Sequence, residues 1–500
     1  MQREKQQGLG KGIISAALHD HRIVAVGNTV HTSKAWRTFQ DFLRYFLVEQ
    51  LGREWFVAEQ AKSIDSERHP IVRWYEQALA DTRRLGKKVG EVYVGPMTGA
   101  QRAFINLAYN IYLIAHHAEA KESAALVASF AGRLKSERAD DFVGKLFETY
   151  AAAAFLKAGF ELAYENEADG RSSHVEFVAT FPATKKKFSV EVKTRNRSVA
   201  EDGPVDEIKR LRVGSKLNKA LTKTAAHTRV VMIEVNIPDA STEDFRTGWA
   251  RAALDQIRTV EKLPQPDGSP KPSTYVVVTN HAFHNNLGSV GVGTQVLVAG
   301  CQIPDFGPDV PFNRLKDVLE SEKRHREMFA LIDSMRDHYE IPSTFDGENP
   351  ALQFEGPDAP ARLTFGEVYL IPDQDGKEIP ARLRDGIVQE AERTALGVYE
   401  TMDGHRVMVA TPLTEAEMGA WKAHPETFFG EVRKLPKKAK NWLELAKFFY
   451  ESYKSTDREK LLEWMKTADD FEHLKMLSQE ELAIVYCERL GWGAEVKKSA

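Results

Sequence analysis

His174-Val175-Glu176-Phe177-Val178-Ala179-Thr180-Phe181 is followed by a turn at Pro182 to Lys186 and then by Lys187-Phe188-Ser189-Val190-Glu191-Val192-Lys193. Both stretches alternate apolar and polar residues, the period of a β-strand. A hairpin centred between Ala183 and Thr184 sets Val175 against Val192, Phe177 against Val190, Ala179 against Phe188 and Glu176 against Glu191. Opposed residues share a face of the sheet. One face is then wholly apolar, and the other collects His174, Glu176, Ser189, Glu191 and Lys193. A slip of one residue would set carboxylates against apolar side chains, so the pattern specifies the register.

Two carboxylates opposed at about 5 Å repel each other. A divalent cation offsets that repulsion, and hard oxygen ligands suit Mg²⁺ or Mn²⁺. Lys193 lies two residues from Glu191 on the same face. There it can orient a water or stabilise charge developing on a phosphate. Upstream, a helix expected from Asp140 to Ala158 carries Glu148 among small and apolar residues, within reach of the same metal. The bland alternative for Glu176, Glu191 and Lys193 is a solvated strand face with an ordinary ion pair.

Working outward, strands are expected at about 160–165, 174–181 and 187–194, a basic helix from Ile208 to Ala226, a strand from Arg229 to Val235, a helix from Thr242 to Val260 and a strand from Thr274 to Thr279. Alternating helix and strand argues for an α/β domain over 135–300. Residues 1–134 read as mostly helical after one short strand at Ile23 to Val30, with an amphipathic helix over Ala100 to Ala118. Residues 301–360 read as helix and linker. Residues 361–500 read as a small α/β unit followed by helices. Asp403-Gly404 marks a hairpin within that unit.

The segment 135–300 resembles the PD-(D/E)xK superfamily of restriction-endonuclease-like nucleases. Glu191-Val192-Lys193 matches the second half of that motif, Glu176 takes the place of the usual aspartate, and Val175 stands in place of the proline. Glu148 falls where many members carry an acidic residue on the first core helix. The expected order of helix, strand, hairpin, helix and strand is also the family's. The resemblance implies a restriction-endonuclease-like core, a mixed sheet flanked by helices, with helical N-terminal and α+β C-terminal regions. It implies Mg²⁺-dependent (or Mn²⁺-dependent) phosphodiester hydrolysis. Glu148, Glu176 and Glu191 would be the metal ligands, and Lys193 would complete the catalytic set. DNA is the expected substrate ahead of RNA, and bacterial defence is a common setting for such enzymes. An RNA-cleaving enzyme and a nuclease-fold binding scaffold are the competing readings. The flanking regions would serve recognition, self-association or a partner protein.

Thirteen Lys and Arg fall between Lys185 and Arg229 against five acidic residues. Lys216, Lys219 and Lys223 have the spacing of one helical face. With Arg195 and Arg197 they form a candidate nucleic-acid surface. The resemblance implies that the helix after the hairpin carries a further polar residue into the site, with Lys216 or Lys219 the candidate. The whole chain carries a formal charge of −4 over 500 residues, so any such binding is local rather than bulk.

Other signals fade. Gly8-Leu9-Gly10-Lys11-Gly12 lacks P-loop spacing. His116-His117 have no partner at i+4 to build a zinc site. His281 and His284 follow a strand end, where a loop role is favoured over lining the cleft. Two cysteines, Cys301 and Cys487, exclude a disulfide scaffold or a site built on several thiolates. That usage fits a reducing cytoplasm. No signal-peptide pattern opens the chain, and no apolar run is long enough to span a membrane.

Overall fold

The computed structural model describes residues 7–89, 92–119, 123–164, 175–195, 207–208, 210–238, 247–345, 363–373, 376–423, 425, 428–429, 439 and 441–499. They form two compact units, 1–303 with 330–433, and 304–329 with 434–500.

The first unit opens with three antiparallel strands rather than one, β1 (Ile14–Leu18), β2 (His21–Val26) and β3 (Thr29–Ser33). Val26 pairs with Thr29, so Gly27-Asn28 makes a two-residue hairpin, and Gly27 supplies the positive φ of +59° that such a turn needs. Helices α1 (Phe39–Leu51), α2 (Arg53–Gln60) and α3 (Pro70–Leu85) follow, then a short antiparallel pair, β4 (Lys87–Val89) with β5 (Val92–Val94). Helix α1 starts at a capping box in which Thr38 and Asp41 satisfy each other's free amides.

Helix α4 (Gly99–His117) was expected to be amphipathic, but it is buried continuously from Leu107 to His116. A helix enclosed on all sides has apolar residues all round, and α1, α3, α5 (Ser123–Leu134) and α6 (Ala139–Lys157) all pack against α4.

Six strands then form one mixed sheet: β6 (Glu161–Tyr164), β7 (Phe177–Thr180), β8 (Lys187–Thr194), β9 (Thr228–Glu234), β10 (Thr274–Asn280) and β11 (Gln295–Cys301). Their order is β11-β10-β9-β8-β7-β6. Strands β8, β9 and β10 are parallel, and the remaining pairings are antiparallel. The fold is therefore α/β with a mixed sheet. Strand β11 was not expected, because the glycines before it read only as turns.

Between β8 and β9 lies α7 (Val213–Leu221), and between β9 and β10 lies α8 (Gly248–Lys262). Their apolar faces, with Leu217, Leu254 and Ile257 fully buried, cover Val231, Ile233, Val276 and Val278. Each such side chain contributes roughly 1.5–3 kcal/mol on burial. Helix α7 is shorter than expected. It begins after Arg212, whose φ of +56° is left-handed, and ends at Leu221 before Thr222.

The region 363–412 is not α/β. It is a four-stranded antiparallel meander, β12 (Val368–Pro372), β13 (Glu378–Gln389), β14 (Thr394–Thr401) and β15 (Arg406–Pro412). The hairpin at Asp403-Gly404 is present, with Glu400 paired to Arg406.

The second unit is helical. In it Leu315, Ala446, Ile484 and Cys487 share a core. A Cβ on Gly491 would lie 2.6 Å from the Trp442 carbonyl oxygen, so glycine there permits close helix packing. Among the described residues no helix is long and apolar enough to cross a membrane.

Candidate functional site

The hairpin forms in the register that its alternation specifies. Phe177 pairs with Val190, Val178 with Ser189, Ala179 with Phe188 and Thr180 with Lys187. The ladder stops at Phe177. The Glu176 amide donates to the Val190 carbonyl at 3.0 Å, one residue out of register, so the chain bends away there. Glu176 is therefore not held squarely opposite Glu191, an arrangement that two like charges disfavour.

The polar face of β8 is covered rather than solvated. Ser189 is 2 % exposed and Glu191 3 % exposed. Ser189 Oγ accepts from the His227 amide at 3.3 Å, a structural role. Glu191 lies beside Val231 on the face that α7 and α8 cover. A buried carboxylate needs partners. Lys193 Nζ donates to one Glu191 oxygen, and Lys223 Nζ lies 2.8 Å from that same oxygen and donates to the other at 2.9 Å. Glu148, 16 % exposed on α6, accepts from Lys145 Nζ at 2.8 and 2.6 Å, with Arg133 at 3.8 Å.

Glu176 has no ion pair of this kind among the described residues. Burial pushes its carboxyl up to about 7, and the neighbouring charges of Glu148 and Glu191 push the same way, against Lys223 and Lys145. The Glu176 carboxyl, in the bend before β7, therefore feels two further carboxylates from two other elements, Glu148 on α6 and Glu191 on β8. All three offer the hard oxygen donors that suit Mg²⁺ or Mn²⁺. As the chain stands, no three His, Cys, Asp or Glu side chains among the described residues are gathered tightly enough to hold an ion. Lysines lie against Glu148 and Glu191, and gathering the donor set requires those lysines to give way.

A stability effect follows. The folded protein holds the Glu176 proton to higher pH than the unfolded chain, whose ordinary value is 4.5. The resulting contribution is complete below that value and is lost as pH rises through about 7. Glu176→Gln is expected to stabilise the protein by roughly 1–3 kcal/mol at about pH 8, with little difference near the ordinary carboxyl range. Urea midpoints of both proteins at the two pH values check this. Equal midpoints throughout would show that Glu176 ionises freely.

The basic residues divide. Arg195 is 6 % exposed, donates to the Val235 carbonyl at 3.3 Å and pairs with Glu207, so it is not part of an open phosphate-binding surface. Arg197 and His174 lie outside the described residues. Lys219 is exposed and Lys216 half-buried on α7. Because α7 ends at Leu221, Lys223 leaves the helical stripe and is the lysine that reaches Glu191, where Lys216 or Lys219 was expected. Only the turn after the helix shows this.

The loop reading of His281 and His284 missed that His281 is 4 % exposed, with its Nδ1 2.6 Å from the Glu234 carboxylate. No sequence motif links those two positions. No family model, curated protein or solved structure matches the chain.

Proposed function

We propose that residues 135–300 form a restriction-endonuclease-like core that hydrolyses phosphodiester bonds, in DNA ahead of RNA, with Mg²⁺ or Mn²⁺. The observation that carries this reading is that the buried Glu176 carboxyl feels the charges of both Glu148 and Glu191, with Lys193 on Glu191, beside a hairpin in a mixed sheet. The order α6, β6, β7–β8, α7, β9 supports it, being the order the resemblance calls for.

A cation held by Glu148, Glu176 and Glu191 would supply positive charge to the phosphate and acidify a water. The chain's own residues do the rest. Glu176, whose carboxyl is pushed up to about 7, gives up its proton before it can serve as a ligand. Lys193 and Lys223, released from Glu191, present ammonium groups to the charge developing on the phosphate. Exposed Lys219 offers backbone contact without base specificity.

The deciding experiment incubates purified full-length protein with plasmid DNA, single-stranded DNA and RNA, each with Mg²⁺, Mn²⁺ or EDTA. Cleavage of DNA with either metal and none with EDTA is expected. Cleavage confined to RNA would move the substrate assignment. A binding scaffold is the second reading, favoured by the lysine-paired state of Glu148 and Glu191. Calorimetric titration with Mn²⁺ separates the two, because a scaffold gives no saturable heat.

A further inference from the structure

A second polar centre lies at the carboxyl ends of β9 and β10. Glu234 is the last residue of β9, in register with Thr194 of β8 and Thr279 of β10. Its carboxylate is fully engaged. Oε1 accepts from the His281 and Asn236 amides, each at 3.0 Å, and Oε2 accepts from Thr279 Oγ1 at 2.7 Å and lies 2.6 Å from His281 Nδ1. Four acceptor positions thus meet four donors, as an ionised carboxylate requires.

Such a carboxylate only accepts, so Nδ1 carries a hydrogen and Nε2 is the ring nitrogen left to meet the cavity. That Nε2 is buried and has no hydrogen-bond partner among the described residues. A buried polar atom left unpaired is unfavourable, so a partner that reaches it is favoured. The ring is also fixed from the side, with Tyr150 at 4.2 Å edge to face.

His281 lines a cavity that opens to solvent. The lining mixes the amides of Asn106, Asn110 and Asn236 with the rings of Phe147 and Tyr150, and no Lys or Arg is among it. Asn236 takes a left-handed φ of +48°, which asparagine tolerates, as the chain leaves β9. Carboxyl ends of parallel strands are where ligands of α/β sheets bind.

We propose that this cavity is a binding site for an uncharged nitrogen heterocycle whose N–H or O–H donates to His281 Nε2. Without a cation in the lining, an anionic group has no counter-charge. The aromatic rings suit a flat apolar face, and the asparagine amides offer both donors and acceptors to a heterocycle edge. Glu234 acts as a positioning residue that fixes the tautomer of His281. The proposal is independent of the nuclease reading, since it uses none of Glu148, Glu176, Glu191 or Lys193.

The test is thermal unfolding of the full chain, without metal, against adenosine, guanosine, cytidine and uridine, and against a single-stranded oligodeoxynucleotide. A ligand at tenfold its Kd raises the folded-to-unfolded ratio roughly elevenfold. His281→Phe removes the acceptor. Asn106→Leu, at the half-buried lining, fills the cavity without touching the Glu234 network, and so keeps the test valid if His281→Phe folds poorly. A saturable rise with a nucleoside that Asn106→Leu abolishes identifies a free-heterocycle site. A rise with the oligodeoxynucleotide alone, lost in the same variant, identifies a base presented by a strand. No saturable rise with any probe, or a rise unchanged in Asn106→Leu, overturns the proposal.

Discussion

Replacing Glu191 with glutamine is expected to lower metal-dependent phosphodiester cleavage by roughly 10²–10³-fold. Glu191 combines what the proposed chemistry needs. It is buried, so its charge is not diluted by solvent, and it already gathers Lys193 and Lys223 around its two oxygens. The glutamine keeps the size and loses the charge. It also leaves two ammonium groups beside a neutral amide, so the variant is expected to lose stability as well. Lys193→Gln separates these effects, because Lys223 still neutralises Glu191. It is expected to melt near the parent temperature while losing cleavage to a similar degree. Initial rates with Mn²⁺ on the preferred substrate, set beside melting curves, measure both. Cleavage within twofold of the parent in Lys193→Gln would remove this lysine from the reaction.

The second large effect is on stability. Glu234→Ala is expected to cost about 3–5 kcal/mol, read as a lower urea midpoint with an unchanged slope. The reason is the count of donors it leaves behind. The Asn236 and His281 amides, the Thr279 hydroxyl and the His281 ring all donate to this one carboxylate, and Thr279 and His281 lie where water is excluded. The network also ties the end of β9 to the end of β10 and to the chain that follows it, so its loss loosens the rim of the sheet. A cost below about 1 kcal/mol would mean that water replaces the carboxylate readily.

The local pattern of the hairpin was legible because strand periodicity is a short-range property. Apolar residues at 177, 179, 188 and 190 can face the core together in one register only, and that register is present. The lengths and order of β8, β9 and β10 followed from β-branched runs bounded by turn residues. The three carboxylates and Lys193 were identifiable as residue types at those spacings.

What escaped depended on contacts made at long range. The side-chain pattern of α4 resembled that of a surface helix, and its burial arises because four other helices surround it. The basic stripe dissolved where α7 ended, which turned Lys223 inward to Glu191, 32 residues away. Arg195 looked like a surface cation until Glu207 and the Val235 carbonyl enclosed it.

The sequence by itself determined the strand alternation, the hairpin register and the residue types that meet at the proposed site, because backbone geometry imposes a period of two on every strand. Only the tertiary structure decided which charges are buried together and which titrate abnormally. Burial and proximity across the fold govern the Glu176 carboxyl, the lysines on Glu191 and the Glu234–His281 pair 47 positions apart, and none of these is a property of neighbours in the chain.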